Sequence, residues 1–342
     1  METVVVNSYS DGGHVSQILC GFHMLKDEYN VMINPQVCKK GSDCNLPACV
    51  EVIYNDKKII YDVDDGYQNI DGIRFLLSDC DFYFKRSFSS KTNEKFLSDY
   101  KSKIFPLGFN YYVTYAENPF NSPQPAWKRL IKFCLGYKKN TYFTSDVFEG
   151  TPKENISGTP KILFYTRLWK PDDTLSAELN EERRYINSTR IQIIRKLKER
   201  FGDAFEGGVA ISPLASELCP DLILSPFKTR RDNYLKLLHA ADICIGSMGL
   251  HESIGWKTAE YVAAAKAIVT EEMKYGVPGN FQEGQNYFSF STVNECLQIV
   301  ESLVEDKEKI YAMQKSNHEY YKNYLHPRVL IKNTLDIVDR YQ

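Results

Sequence analysis

Residues 251–271 read HESIGWKTAEYVAAAKAIVTE. The stretch follows an apolar run, AADICIGS at 240–247, and closes on another, AIVT at 267–270. Short unbroken apolar runs read as strands buried on both faces, the habit of a parallel sheet, and the segment between them as the crossover helix. Glu252 then falls in the loop after the first strand, Gly255 near the helix start, and Glu260 about a turn and a half in. A helix N-terminus offers unpaired N–H groups and partial positive charge, so it suits phosphate. Gly255 to Glu260 spans roughly 7–8 Å of helix axis, about the reach from a diphosphate to the ribose of a nucleotide. This order of groups predicts one carboxylate for a sugar, helix amides for a diphosphate and a second carboxylate for ribose hydroxyls.

The bulk properties bound the reading. A chain of 342 residues has room for two domains of about 150 each. Hydrophobic residues make up 43% and charged residues 25%, ordinary for a soluble globular protein. A formal net charge of −2 argues against nucleic acid as the main partner. The nine cysteines include no CxxC pair, which predicts reduced thiols and a cytoplasmic setting. Cys38, Cys44 and Cys49 cluster, but without a nearby histidine to complete a zinc site they read as loop and core thiols. METVVVNSYS at 1–10 reads as a strand, lacking the basic start and long apolar core of a signal peptide. No stretch approaches the ~18 apolar residues of a membrane span.

From end to end, strands are expected at Thr3–Ser8, Tyr29–Asn34, Val50–Tyr54, Lys58–Asp62, Asp79–Lys85 and Lys103–Leu107, with a helix over Val15–Lys26. That alternation predicts a doubly wound α/β domain over 1–150. Breaks rich in Pro, Asn and Gly lie at NPFNSPQPA and at Thr151–Pro160. A second α/β domain, 151–325, opens with KILFYTR at 161–167. It continues through a helix over Ser188–Phe201, strands near Val209 and Leu222, a helix near Asp232–Ala240, a helix over Val293–Val304 and a final helix from Pro327.

Glu252-x-Ile254-Gly255-x-x-x-x-Glu260 resembles the E-x-F-G-x-x-x-x-E signature of retaining GT-B glycosyltransferases of the family 4 type, with Ile254 in place of the usual Phe. The likeness is firm over roughly residues 220–325 and loose elsewhere. It implies a GT-B fold, two Rossmann-like doubly wound domains facing across a cleft, with the closing segment 326–342 packing back on the first. It also implies transfer of a sugar from a nucleotide-diphosphate donor, UDP- or GDP-linked, to a hydroxyl of a glycan or lipid-linked glycan, with retention. No cofactor and no essential metal is implied. Glu252 would contact the donor sugar, Glu260 the ribose, and Ser253, Ile254 and Gly255 the donor between them. Arg167 resembles the cation that grips the diphosphate, although Thr166 replaces the family's Gly and Lys170 stands closer than the family spacing.

Other groups carry chemistry beside these. Asp11-Gly12-Gly13-His14 joins the first strand to the first helix, and two glycines allow close backbone approach to a ligand. The loop resembles the glycine-rich first loop of GT-B enzymes. His14, also a candidate catalytic residue, and Asp11 are candidates for donor or acceptor contact, and Asp11 reads equally as a solvent-facing cap. Lys228, with Arg230 and Arg231, offers cations for a leaving diphosphate or a solvated helix start. Asp62-Val63-Asp64-Asp65 resembles the metal-binding Asp-x-Asp of GT-A enzymes, a rival reading that leaves the second α/β domain unexplained. Within GT-B, Asp65 would face the acceptor, and Lys85 and Arg86 would meet an anionic acceptor or cap the sheet. WKRLIKFCLGYKK, Trp127–Lys139, is basic and amphipathic. It suits peripheral contact with the inner face of a membrane, or packing on the first domain with solvated lysines. An epimerase or phosphorylase on the same fold, or a non-catalytic glycan-binding relative, remains the alternative.

Overall fold

The structure, a computed structural model, describes residues 1–10, 12–35, 46–120 and 143–341. Asp11, Cys38, Cys44 and the basic stretch Trp127–Lys139 lie outside them. The chain divides into two compact units, Met1–Val147 with His326–Gln342, and Phe148–Leu325.

The first unit holds a six-stranded sheet: β1 (Thr3–Ser8), β2 (Asn30–Pro35), β3 (Cys49–Tyr54), β4 (Lys57–Asp62), β5 (Phe82–Lys85) and β6 (Ile104–Pro106). Their spatial order is β2-β1-β3-β4-β5-β6. All run parallel except β3, which is antiparallel to β1 and β4. A hairpin, β3 to β4, thus sits within an otherwise parallel sheet. Asn55 and Asp56 take positive φ, 48° and 58°, the left-handed pair that a tight two-residue turn demands and that Asn and Asp tolerate.

Helices α1 (Ser16–Met24), α2 (Ile70–Ser78) and α3 (Ser90–Phe96) complete the unit's crossovers. Asn69 and Ser89 accept from the first-turn N–H groups of Gly72 and Thr92, which starts α2 and α3. The C-terminal helix, Pro327–Arg340, lies against α1. Gly21 makes this approach possible, because a Cβ there would sit 2.4 Å from Ile331 Cγ1 and from the Pro327 carbonyl oxygen. Tyr61 and Thr334 share a buried 2.7 Å hydrogen bond between their hydroxyls.

The second unit holds five strands, β7 (Ile162–Thr166), β8 (Phe205–Val209), β9 (Ile243–Ile245), β10 (Ala267–Glu271) and β11 (Phe288–Phe290). Their order is β11-β10-β9-β7-β8, and every pairing is parallel. Helices α4 (Ala177–Phe201), α5 (Arg231–Ala240), α6 (Trp256–Ala263), α7 (Val293–Glu305) and α8 (Lys307–Tyr320) pack on it. The core joins Ile162, Phe164, Ile194, Leu197, Ile245, Val269 and Val300. Helix α4 starts at Ala177 rather than Ser188, because the Ser176 hydroxyl accepts the Leu179 N–H and caps it. The strand expected near Leu222 is instead a short 3-10 turn, Pro220–Leu222, followed by a single bridge from Ile223 to Val209; Pro220 lacks the N–H a ladder needs. Among the described residues no helix is long and apolar enough to cross a membrane.

Candidate functional site

The strand order of the second sheet reverses between β7 and β9. From β7 the chain crosses to β8 on one side and later returns to β9 on the other. Open α/β sheets bind ligands at the carboxyl edge of such a reversal. Arg167 ends β7 there, and the loop carrying Glu252 leaves β9 there.

A residue that sequence reading passed over ties these ends together. Arg190, buried within α4, donates through Nη1 to the Arg167 carbonyl at 2.6 Å, through Nε to Ser247 Oγ at 2.9 Å and through Nη2 to the Met248 carbonyl at 2.8 Å. Burial lowers its pKa to about 10, with the Glu271 charge pulling the other way. Glu271, the last residue of β10, accepts the Met248 N–H at 2.7 Å, and burial pushes its carboxyl pKa up. The guanidinium fork and the carboxylate thus fix the main chain on both sides of the reversal. Arg190 carries no sequence signal in a long charged helix. The acid closing AIVTE was the one visible clue to Glu271.

Glu252 sits on a strained turn. His251 and Glu252 both adopt left-handed backbone, with φ of 59° and 56°, which costs roughly 1–2 kcal/mol for each non-glycine residue. The turn is closed by Gly249 N–H to the Ser253 carbonyl at 2.8 Å and by Ser253 N–H to the Leu250 carbonyl at 3.1 Å. Tyr275 donates its hydroxyl to the His251 carbonyl at 2.9 Å. The Glu252 N–H reaches Glu182 Oε1 on α4 at 3.2 Å. The Glu252 side chain itself is exposed, Ser253 is buried, and Ile254 and Gly255 are half-buried. Gly255 is the N-cap of α6, and no side chain caps it.

Glu260 lies in α6, at only 2% exposure. Its Oε2 accepts the Tyr234 hydroxyl at 2.7 Å, and its Oε1 pairs with Arg231 Nη2 at 2.9 Å. The Arg231 guanidinium also lies over the Phe148 ring, and the Lys257 ammonium lies 3.8 Å from the centroid of Tyr234. Burial holds the Lys257 pKa below its usual value, against the pull of Glu260. The carboxylate expected to meet ribose is therefore enclosed in a Tyr–Arg–Lys cage.

The expected diphosphate cations divide. Arg167 is exposed, its guanidinium stacked 4.0 Å from the centroid of Trp169. Lys170 is also exposed, and its carbonyl accepts from Arg183. Lys228 is tied to Glu206, at 2.8 Å and 3.1 Å from its two carboxylate oxygens. Arg230 pairs with Asp232.

In the first unit, Gly12, Gly13 and His14 follow β1 at the carboxyl edge, and Gly12 has φ of 82°. His14 is exposed, and its carbonyl accepts from Asn110 Nδ2 at 2.8 Å. Asp62, Asp64, Asp65, Lys85 and Arg86 gather at the same edge. Lys85 is fully enclosed, its ammonium 2.8 Å from Asp62 Oδ2 and 4.7 Å from the centroid of Tyr67. Tyr83 donates to the same Asp62 oxygen at 2.6 Å. Lys85 thus holds the sheet together and presents no cation to an acceptor. Arg86, also buried, pairs with the half-exposed Asp65. Burial, then the Asp62 charge, raises the pKa of Asp64. Among the described residues no group of three or more His, Cys, Asp or Glu side chains is placed to hold a metal ion.

No family model matches the chain, and no curated protein matches it. Among solved structures it is similar to the C-terminal domain of a glycosyl transferase group 1 family protein, LpcC, from Francisella tularensis, at 13% identity over 52% of this chain and 96% of that one, with a TM-score of 0.37. It is similar to HepE of Anabaena, solved with UDP-glucose, at 10% identity over 80% of this chain and 69% of that one, TM-score 0.44. A glycosyltransferase from Rickettsia africae matches at 16% identity over 79% of this chain and 64% of that one, TM-score 0.42.

Proposed function

We propose that this chain is a glycosyltransferase that moves a sugar from a nucleotide-diphosphate sugar to a hydroxyl of a glycan. The donor is assigned to the second unit. One observation carries the reading: at the switch in strand order of the second sheet, one buried guanidinium holds the main chain of an exposed cation, Arg167, and the strand end, Ser247 and Met248, that leads to an exposed carboxylate on a strained turn, Glu252, beside an uncapped helix start.

Those groups match the charges such a transfer develops. As the glycosidic bond to the diphosphate breaks, negative charge grows on the leaving phosphate. Arg167 and the start of α6 would stabilise it, with Lys228 contributing once released from Glu206. Glu252 would orient the sugar and balance the positive charge at its anomeric carbon. In the retaining course, the acceptor hydroxyl attacks on the face the nucleotide leaves, and the departing phosphate oxygen takes its proton. Gly12, Gly13 and His14, at the carboxyl edge of the first sheet, are proposed as further substrate-contacting residues, and Asp65 as an acceptor contact. A glycan of a cell-surface polysaccharide or a lipid-linked saccharide is the acceptor class proposed, with the enzyme in the cytoplasm.

A thermal-shift series with UDP, GDP and ADP, followed by hydrolysis of UDP-glucose, UDP-N-acetylglucosamine, GDP-mannose and ADP-glucose, tests the reading. A nucleotide at about a hundred times its Kd should add about 2.7 kcal/mol to stability. Glu252→Ala should then lower kcat by about a hundredfold or more while the nucleotide Kd stays within about threefold. A chain that none of the three nucleotides stabilises would sink the proposal.

A further inference from the structure

We infer that Glu182, on α4, is a positioning residue for Glu252: it sets the backbone from which that carboxylate is aimed. The inference rests on the transferase reading for its catalytic meaning, but its structural half stands independently.

The turn at Leu250–Glu252 cannot hold itself by ordinary preference, since two successive side-chain-bearing residues occupy left-handed backbone. Most of the bonds that close it come from nearby in the chain: Gly249 to Ser253, Ser253 to Leu250, and Tyr275 to His251. None of those three touches the amide of Glu252. That amide is held by the Glu182 carboxylate, seventy residues earlier. A charged acceptor on a main-chain N–H makes a stronger bond than a neutral one. Glu182 is therefore the anchor that fixes this peptide unit relative to the sheet.

The helix that provides the anchor is itself pinned to the reversal. Arg190 lies about two turns further along α4 and grips Arg167, Ser247 and Met248. One rigid helix thereby sets the spacing between the diphosphate cation and the sugar carboxylate. Movement of either relative to the other strains a charged hydrogen bond made by a side chain of α4.

A second feature separates Glu182 from an ordinary helix surface acid. Its Oε1 takes the Glu252 N–H, while its Oε2 is buried without any hydrogen-bond partner. A buried carboxylate oxygen without a donor is unfavourable, and native proteins keep few of them. Glutamine would supply the same Oε1 acceptor without the carboxylate charge, so glutamine is the discriminating substitution.

The test uses the full chain with Glu182→Ala and Glu182→Gln. Amide hydrogen exchange is followed at residues 249–254, and donor hydrolysis with the four nucleotide sugars named above. Glu182→Ala should speed exchange of the Glu252 amide about tenfold, as expected for loss of one hydrogen bond to a charged acceptor. It should lower kcat by about ten- to a hundredfold with KM within about threefold, the pattern of misplacement rather than lost binding. Glu182→Gln should restore both exchange and kcat to within about threefold of the parent. Unchanged exchange at Glu252 in Glu182→Ala overturns the anchor, and faster exchange with unchanged kcat overturns its role in positioning. If the parent chain hydrolyses none of the donors, the transferase reading fails for them, while the exchange measurement still decides whether Glu182 holds Glu252. A fall in kcat accompanied by an equal fall in melting temperature for both variants would mark a merely structural residue and also overturn the inference.

Discussion

Arg190 Nη1 lies 2.6 Å from the carbonyl oxygen of Arg167, so a guanidinium buried in a helix terminates the strand that delivers an exposed one. The two cations share a site but do different work: one holds main chain, the other is offered outward.

Arg190→Met removes three donors at once and leaves the carbonyls of Arg167 and Met248 without them. Leaving buried acceptors unpaired costs about 1–3 kcal/mol each, readable as a shift in the urea midpoint. Arg190→Lys keeps the charge but not the fork, and should still lose nucleotide affinity by calorimetry. Full retention of both properties in the lysine variant would show that the forked geometry is dispensable.

The enclosure of Glu260 permits a sharper assay of its proposed contact with ribose. Glu260→Gln weakens the pairing with Arg231 and should cost about 1–3 kcal/mol of stability. Affinities for UDP and for inorganic diphosphate are compared in the variant. Contact with ribose predicts a loss for UDP alone. Parallel loss of both would show that Glu260 acts only by shaping the cage around Tyr234.

Asp62 and Lys85 form a closed pair with no exposure on either side chain. Lys85→Met strands a buried carboxylate and should destabilise the first unit by about 3–5 kcal/mol. Adding Asp62→Asn should recover most of that in a double-mutant cycle. An additive cycle would show that the two side chains do not depend on each other.

Lys266 supplies a pH signature. Its buried ammonium donates to the carbonyls of His239 at 2.9 Å and Ala241 at 2.8 Å, and burial lowers its pKa to about 8. The unfolded chain, with the usual value of about 10.4, therefore binds more protons between the two values, and stability contributed by this group rises with pH across that window. Below it both states are protonated and the contribution is flat. Lys266→Met should remove the rise, read as the difference between parent and variant urea midpoints at successive pH values.

Sequence alone reached the parallel crossover β9–α6–β10, because unbroken apolar runs flanking a small-residue helix leave few other folds. It also placed Arg167 and Glu252 at strand ends, where their chemistry has an outlet. The direction of β3 was not legible: VEVIY and KKIIYD look alike whichever way they run, and the Asn55-Asp56 turn lacks the glycine that usually marks a hairpin. Burial was likewise hidden. Glu260 and Lys85 are charged residues whose partners, Arg231 with Tyr234 and Asp62, lie well apart in the chain. Nothing local to either residue announces a cage. Arg190 and Glu182 escaped for the opposite reason, being two charges among many on a long polar helix.

The reversed strand β3 has a further effect at the rim of the first sheet. Neighbouring strands lie about 4.8 Å apart, so the outgoing ends of β1 and β4, with β3 between them, stand about 9–10 Å apart. The chain entering β3 forms the floor of this notch, with the carbonyls of Cys49 and Ala48 receiving the N–H groups of Tyr9 and Val63 on its two banks. The loops that carry the glycine pair and the aspartates therefore leave the sheet one strand apart instead of side by side.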